Sequence, residues 1–370
     1  MLSVFFAFRD APDRRAALRN PDALDRYRLF GLDEVRVRGA HVRHNLERGG
    51  PPPAWARTAA AAVNLLLGLA GGYGGDFATV LASLRTANTA DVVFATNDTI
   101  GIPLMLLKRA GLLRTPLVYA AIGLPERLMQ LRNGRTARLY AEAFRRTHTI
   151  VAYAESEVEW LRAWLGETAP PIVFVPFGVD VRAFSPDGRA PEVDVVSVGA
   201  DSKRDFDVLT EIASRHPEVS FRIVAARQHA RSLAIRPPNV ALETDVPLEC
   251  VRERLAGARV VALPVRLNSY SGATTVLLQA MAMAKPVVVS RTDAIAGGYG
   301  LEDGVNCRLV KPGDVDAFER ALLETLTGAD AGESLGLRAR ETVERDFSWE
   351  RYTDALWEIL SAASAAPFRR

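Results

Sequence analysis

"SYSGATTVLLQAMAMAKPVVVS", residues 269–290, contains a turn of small residues, an uncharged helical run and an apolar strand. The apolar run "RVVALPV" at 259 precedes it, so the passage reads strand, loop, helix, strand. Both strand runs are continuous in Val, Leu and Ala rather than alternating, the pattern of strands buried on both faces of a parallel sheet. The helix "TVLLQAMAMA" is apolar almost all round and is expected to be buried. At its mouth, Gly272, Ala273 and Thr274 have N–H groups suited to a phosphate or sugar, while Ser271, Thr274 and Thr275 add hydroxyls that serve either a ligand or only the helix cap. Gln279 is the one strongly polar side chain inside the helix. A buried amide left unpaired costs about 1–3 kcal/mol, so Gln279 needs a partner, and the residues alone leave a loop carbonyl and a ligand hydroxyl both open.

The same alternation runs along the chain. Strand candidates begin with "LSVFFAF" at 2, "DVVFATND" at 91, "PLVYAAIG" at 116, "TIVAYAE" at 149 and "PIVFVPFG" at 171. They resume with "VDVVSVG" at 193, "SFRIVAA" at 220, "NVALET" at 239, "RVVALPV" at 259, "KPVVVS" at 285 and "CRLVKPG" at 307. Helical segments such as "PLMLLKRAGLL", "RDFDVLTEIASRH" and "DAFERALLETLTGA" fall between them. The fold class is therefore α/β, with two doubly wound parallel-sheet domains, 1–178 and 179–348, divided where Pro, Gly and Asp accumulate near Asp180. Ligands of such sheets lie beyond the carboxyl ends of the strands, and a cleft between the domains is the expected site.

Bulk properties narrow the class. A chain of 370 residues suits two domains, and 48% apolar residues with mean hydropathy near zero describe a globular protein. A net charge of +2 argues against nucleic acid as a partner. Two cysteines and five scattered histidines provide neither a disulfide framework nor a metal site, which fits a cytoplasmic location without a metal cofactor. No signal peptide is expected, because "MLSVFFAFRDAPDRR" has no charge before its apolar run. The segment from Thr58 to Gly75 reads as a core helix, with an interfacial helix as the other reading. The arginine-rich stretch "RVRGAHVRHNLER" reads as a solvated face, with an anionic membrane or acceptor contact as the alternative. Together these two segments would suit an apolar or lipid-linked acceptor and peripheral contact with the inner membrane face.

A second loop has the same design as the first. "SVGADSKRD" follows a strand, with Gly199 permitting a tight turn and Lys203 and Arg204 at the start of the next helix. Two cations at a helix start conflict with the macrodipole, and a bound polyanion removes the conflict. The alternative is that Arg204 pairs with Asp205 or Asp207 on the surface.

The ordered series "VPFGVDVRAFSP", "SVGADSKRD", "SGATTVLLQAMAMAKPVVVSRTDAIAGGYGLEDGVNCRLVKPGDVDAFERALLETL" and "FSWERYTDALWEIL" resembles the glycosyltransferases of family 4, which have the GT-B fold of two Rossmann-like domains facing across a cleft. The likeness covers the second half of the chain and, more loosely, 91–178. It implies a nucleoside-diphosphate sugar as donor, a hydroxyl acceptor, retention of anomeric configuration and no metal. On this resemblance Lys203 and Arg204 correspond to the basic pair on the diphosphate, with Ala200 where an arginine is usual. The loop at Ser271, Gly272, Ala273, Thr274 and Thr275 holds the sugar and distal phosphate; Arg227, Thr244 and Val246 flank the base; Gln279 meets the ribose. Ser271 and Gln279 stand where the family has two glutamates, and the helix 349–364 crosses back onto the first domain. On the acceptor side, Arg9, Asn97, Asp98 and Arg127 occupy positions after strands, each facing a substrate or stabilising its own loop. Hinges are expected near Phe177-Gly178 and before Trp349. A different GT-B enzyme, such as an epimerase or phosphorylase, and a non-catalytic nucleotide-binding relative are the alternatives.

Overall fold

The structure is a computed structural model that describes residues 1–131, 133–230, 233, 236–268 and 272–365, except the side chains of 230 and 329–331. The chain divides into two compact units, Met1–Val175 with Thr353–Arg370, and Pro176–Tyr352.

The first unit is built on six strands: β1 Ser3–Ala7, β2 His41–His44, β3 Val92–Ala95, β4 Leu117–Ala121, β5 Thr149–Ala152 and β6 Ile172–Phe174. Their order is β2-β1-β3-β4-β5-β6, and every pairing is parallel. The second unit has β7 Val193–Gly199, β8 Phe221–Ala225, β9 Val240–Thr244, β10 Ala258–Leu263, β11 Val287–Ser290 and β12 Arg308–Val310. These lie in the order β12-β11-β10-β7-β8-β9, again all parallel. Each sheet reverses its winding once, between β1 and β3 and between β7 and β10, and ligands of doubly wound sheets bind at such points. The apolar runs read from the sequence are these strands. β3, β4 and β5 are buried throughout, because helices cover both faces.

β2 escapes the sequence reading. It is an edge strand in which only Val42 is buried, and its polar residues read as a solvated stretch. The helix Asp98–Arg109 also begins five residues earlier than "PLMLLKRAGLL" suggests and runs through Pro103. A proline there leaves the carbonyl of residue 99 without its helical donor, and the Asp76 N–H fills the vacancy at 2.8 Å.

A third difference concerns the helix Ala54–Leu69, which is not a core helix. Only Ala56 and Ala60 are buried, while Trp55, Leu65, Leu66 and Leu69 are exposed. Small alanines give close packing against the helix Phe77–Ala87, and the large residues fall on the other side of the wheel.

The chain enters and leaves the second unit through paired segments. Val179 N–H donates to the Phe347 carbonyl at 3.0 Å, and Trp349 N–H donates to the Val179 carbonyl at 2.8 Å. A Cβ on Gly178 would stand 2.6 Å from the Ser348 carbonyl oxygen, so this crossing requires glycine. The helix Trp349–Ala365 then carries the chain into the first unit, where Asp354 pairs with Arg38 and Trp357 lies under the same guanidinium.

Candidate functional site

The loops after β7 and β10 meet where the second sheet reverses. Asp205 N–H donates to the Pro264 carbonyl at 3.0 Å, Arg266 N–H donates to the Lys203 carbonyl at 2.8 Å, and Arg204 and Val265 form an antiparallel bridge. The loop bearing Lys203 and Arg204 is thereby sewn to the loop that leads into the helix Thr274–Ala282. Val265 N–H also donates to Ser290 Oγ at the end of β11, which ties in the next strand.

Arg204 is only 5% exposed. Its side chain lies across the end of β7, so that a Cβ on Gly199 would meet Arg204 Nε at 2.1 Å and Cγ at 2.7 Å. Gly199 is therefore required for this close approach rather than for a tight turn, as the sequence suggested. Asp205 and Asp207, the acids that could have held Arg204 at the surface, instead accept from Arg266 at 3.1 and 2.8 Å. Asp201 shapes the turn, its Oδ1 accepting from Lys203 N–H at 2.6 Å and its carbonyl from Arg204 N–H at 3.2 Å.

At the mouth of the helix, Ala273 takes the left-handed conformation with φ 74°, which costs an L-residue about 1–2 kcal/mol. The N-cap residue is an alanine, whose side chain has no acceptor to offer the N–H groups of the first turn. Thr274 is 2% exposed, and its Oγ1 has no hydrogen-bond partner among the described residues. Gly272 is buried and Thr275 half-buried. Ser271 lies outside the described residues. Gln279 is also 2% exposed.

Beyond β7 the same edge continues through β8 and β9. Ala225 pairs in register with Thr244, and Asp245 N–H donates to the Ala225 carbonyl at 3.2 Å. Arg227 is tied to this corner twice, its N–H donating to Asp245 Oδ1 at 3.0 Å and its guanidinium meeting Oδ2 at 3.1 Å. Val246 follows, half-buried. The structure thus sets Arg227, Thr244 and Val246 together at the ends of β8 and β9, two and three strands from β10, with Gly199, Lys203 and Arg204 at the end of β7 between them and the β10 loop.

The matching edge of the first unit is acidic beneath its surface. Asn97 caps the helix Asp98–Arg109 by accepting from Ile100 N–H at 3.3 Å. Asp98 is 2% exposed. Its Oδ1 accepts the Tyr119 hydroxyl and, at 3.3 Å, the Ile122 N–H, while Oδ2 pairs with Arg127 at 2.8 Å. Gly101 leaves room for the Tyr119 ring, since a Cβ there would lie 2.3 Å from Cδ2. Arg127 also lies over the Tyr73 ring at 4.7 Å, and Arg9 is exposed after β1.

Glu157, which the sequence reading passes over, completes this edge. Wholly buried, it accepts from Gly123 N–H at 2.8 Å. Burial, the largest cause, pushes its carboxyl up to about 8, and the nearby Asp98 adds to the rise. Asp98 is likewise raised by burial, against the opposing pull of Tyr119 and Arg127. A signal existed in the sequence: Glu157 shares a helical face with the buried Val158, Leu161 and Leu165.

Residues 195–328 match the family model described as Glycosyl transferases group 1. The chain is 28% identical over 210 residues to MMP alpha-(1->4)-mannosyltransferase of Mycolicibacterium hassiacum, covering 52% of this chain and 49% of that protein. It spans about half, or less, of the length of the curated relatives it matches. Among solved structures it is similar to sucrose-phosphate synthase from Thermosynechococcus elongatus, with TM-score 0.74 and 15% identity over 99% of this chain and all of that one. The Anabaena HepE structure in complex with UDP-glucose gives TM-score 0.68 at 15% identity, over 98% of this chain and all of that one. The fold is therefore GT-B, and residues 195–328 are the part of it that resembles the group 1 glycosyltransferases.

Proposed function

We propose that this protein is a retaining glycosyltransferase of the family 4 type, which moves a sugar from a nucleoside-diphosphate donor to a hydroxyl acceptor in the cytoplasm, without a metal. The single observation that carries this reading is the seam between the post-β7 and post-β10 loops, which joins Lys203 and Arg204 to the approach to the helix that starts at Thr274. Cations and helix-start amides gathered at a switch point suit a diphosphate.

In this reading the diphosphate lies between Lys203, Arg204 and the amides of Thr274 and Thr275. Gly272, Ala273 and Ser271 face the sugar, Gln279 reaches the ribose, and Arg227, Thr244 and Val246 border the base. The glycosidic bond loosens towards an oxocarbenium ion while the departing diphosphate oxygen takes the acceptor proton on the same face. The chain's part is to hold the reactants and stabilise the leaving charge. Arg9 and Arg127 present their guanidinium groups to the acceptor, and Asn97 and Asp98 hold the loops that position them. Support from the relatives is that the M. hassiacum protein is named a mannosyltransferase and the HepE structure contains UDP-glucose.

The test is a thermal-shift panel of nucleoside diphosphates, followed by detection of nucleoside diphosphate release from sugar donors. A ligand at a hundred times its Kd stabilises the folded chain by about 2.7 kcal/mol, which raises Tm by several degrees. A panel in which no nucleotide moves Tm refutes the donor assignment. Stabilisation without turnover on any acceptor leaves a nucleotide-binding protein instead.

A further inference from the structure

The helix Ala54–Leu69 presents a face that the fold does not use. Of the twelve large apolar side chains exposed among the described residues, four sit on it: Trp55 at 60%, Leu65 at 64%, Leu66 at 65% and Leu69 at 78%. The inward face is secured separately. Ala56 and Ala60 pack inside, and Asn64 brackets Gly75, accepting from its N–H at 3.2 Å and donating to its carbonyl at 3.0 Å. The leucines are thus not required to seat the helix.

The charge around this face is of one sign. From Arg48 to Gly75 the chain has no Asp or Glu. Arg57 is exposed on the helix itself. The neighbouring helix Gly134–Phe144 adds exposed Arg135 and Arg138 and is fastened to the end of the first, Thr136 Oγ1 donating to the Ala70 carbonyl at 2.6 Å. None of these three arginines makes an ion pair among the described residues, whereas the first acid of that second helix, Glu142, is taken by Arg109 at 2.7 Å.

We propose that the helix Ala54–Leu69 is a membrane-docking surface that lies flat on an anionic lipid bilayer, its leucines and Trp55 inserted among the acyl chains and Arg57, Arg135 and Arg138 on the lipid phosphates. An apolar face bordered by unpaired cations and free of acids is complementary to such a surface, and a tryptophan sits well at its boundary. At 16 residues the helix is too short to span, and no described helix is long and apolar enough to cross a membrane. The assignment does not depend on sugar transfer and would survive the failure of that reading.

Flotation of the full chain with phosphatidylglycerol–phosphatidylcholine vesicles tests it. The protein should float with these vesicles, not with phosphatidylcholine alone, and binding should weaken as salt rises from about 0.1 to 0.5 M. Replacing Arg135 and Arg138 by Ala should lower the partition coefficient about fivefold for each arginine removed. The triple substitution Leu65→Ser, Leu66→Ser, Leu69→Ser should abolish binding with Tm nearly unchanged, since those side chains are already in water. Absence of binding to the anionic vesicles overturns the proposal, as does binding that the triple variant retains. Self-association that the triple variant dissolves, in a protein that ignores vesicles, would assign the face to a second copy and overturn it equally.

Discussion

The two strand-end edges share one architecture and differ in what their polar side chains do. In the second unit, Arg204 is laid over Gly199, and Lys203 sits in a loop whose backbone is sewn to its neighbour. In the first, Asp98 and Glu157 are turned inward, and each holds one of two consecutive amides, Ile122 and Gly123, after β4. One edge gathers positive charge at the strand ends; the other uses negative charge to fix its own backbone, and through that turn the start of the helix Leu124–Met129 bearing Arg127. A glycine opposite a bulky partner enables both, Gly199 beneath Arg204 and Gly101 beneath Tyr119. Substitutions in the second unit should therefore be felt in turnover, and those in the first in stability and its dependence on pH.

The largest effect expected is that of Arg204→Ala. On the proposed function, losing this donor to the leaving charge should lower kcat by about a hundredfold to a thousandfold. Steady-state kinetics decides it, and a folded variant with unimpaired turnover would break the contrast between the edges. Gly199→Ala should follow closely, because the added methyl group displaces the Arg204 side chain from its place on β7. Crystals of that variant with Arg204 unmoved would contradict the close approach described here.

Glu157→Gln sharpens the comparison from the other side. The folded chain keeps its Glu157 proton up to about pH 8, whereas the unfolded chain releases it near 4.5. Within this window the native state binds the extra proton, so stability falls as pH rises, by up to about 1.4 kcal/mol per unit, and levels off above it. The amide retains a carbonyl for Gly123 and cannot ionise. Urea midpoints should therefore favour the variant over the parent increasingly from pH 5 to pH 8, and a constant difference would show that Glu157 does not titrate there.

The smallest effect is that of Ala273→Gly, which relieves the left-handed residue at the helix mouth. The gain, offset by the greater freedom of glycine in the unfolded chain, should be under about 1 kcal/mol, read as a slight rise in Tm. A loss of stability would mean that the methyl group packs usefully there.

Much of this was legible in the residues. Continuous Val-Leu-Ile runs announced buried parallel strands, because covering both faces of a sheet leaves no place for alternating polar positions. Small residues after β7 and β10 marked the two loops that come together. Less legible were β2, an edge strand with a single buried residue, and Glu157, one of three closely spaced acids of which only the helical face singles out the inward one. The exposed leucines of Ala54–Leu69 read as core because composition records how apolar a helix is and not what lies beside it.

Sequence by itself determined the periodicities, and with them the class of the fold and the kinds of side chain at each loop, since these depend on neighbours a few positions away. Tertiary structure decided that Arg266, not Arg204, takes Asp205 and Asp207, and that the Asp76 N–H serves the carbonyl Pro103 leaves empty. It also brought the 203 loop against the 265 loop. Such pairings join residues 23 to 61 positions apart and depend on strand order, which is set by the packing of whole sheets rather than by any local spacing.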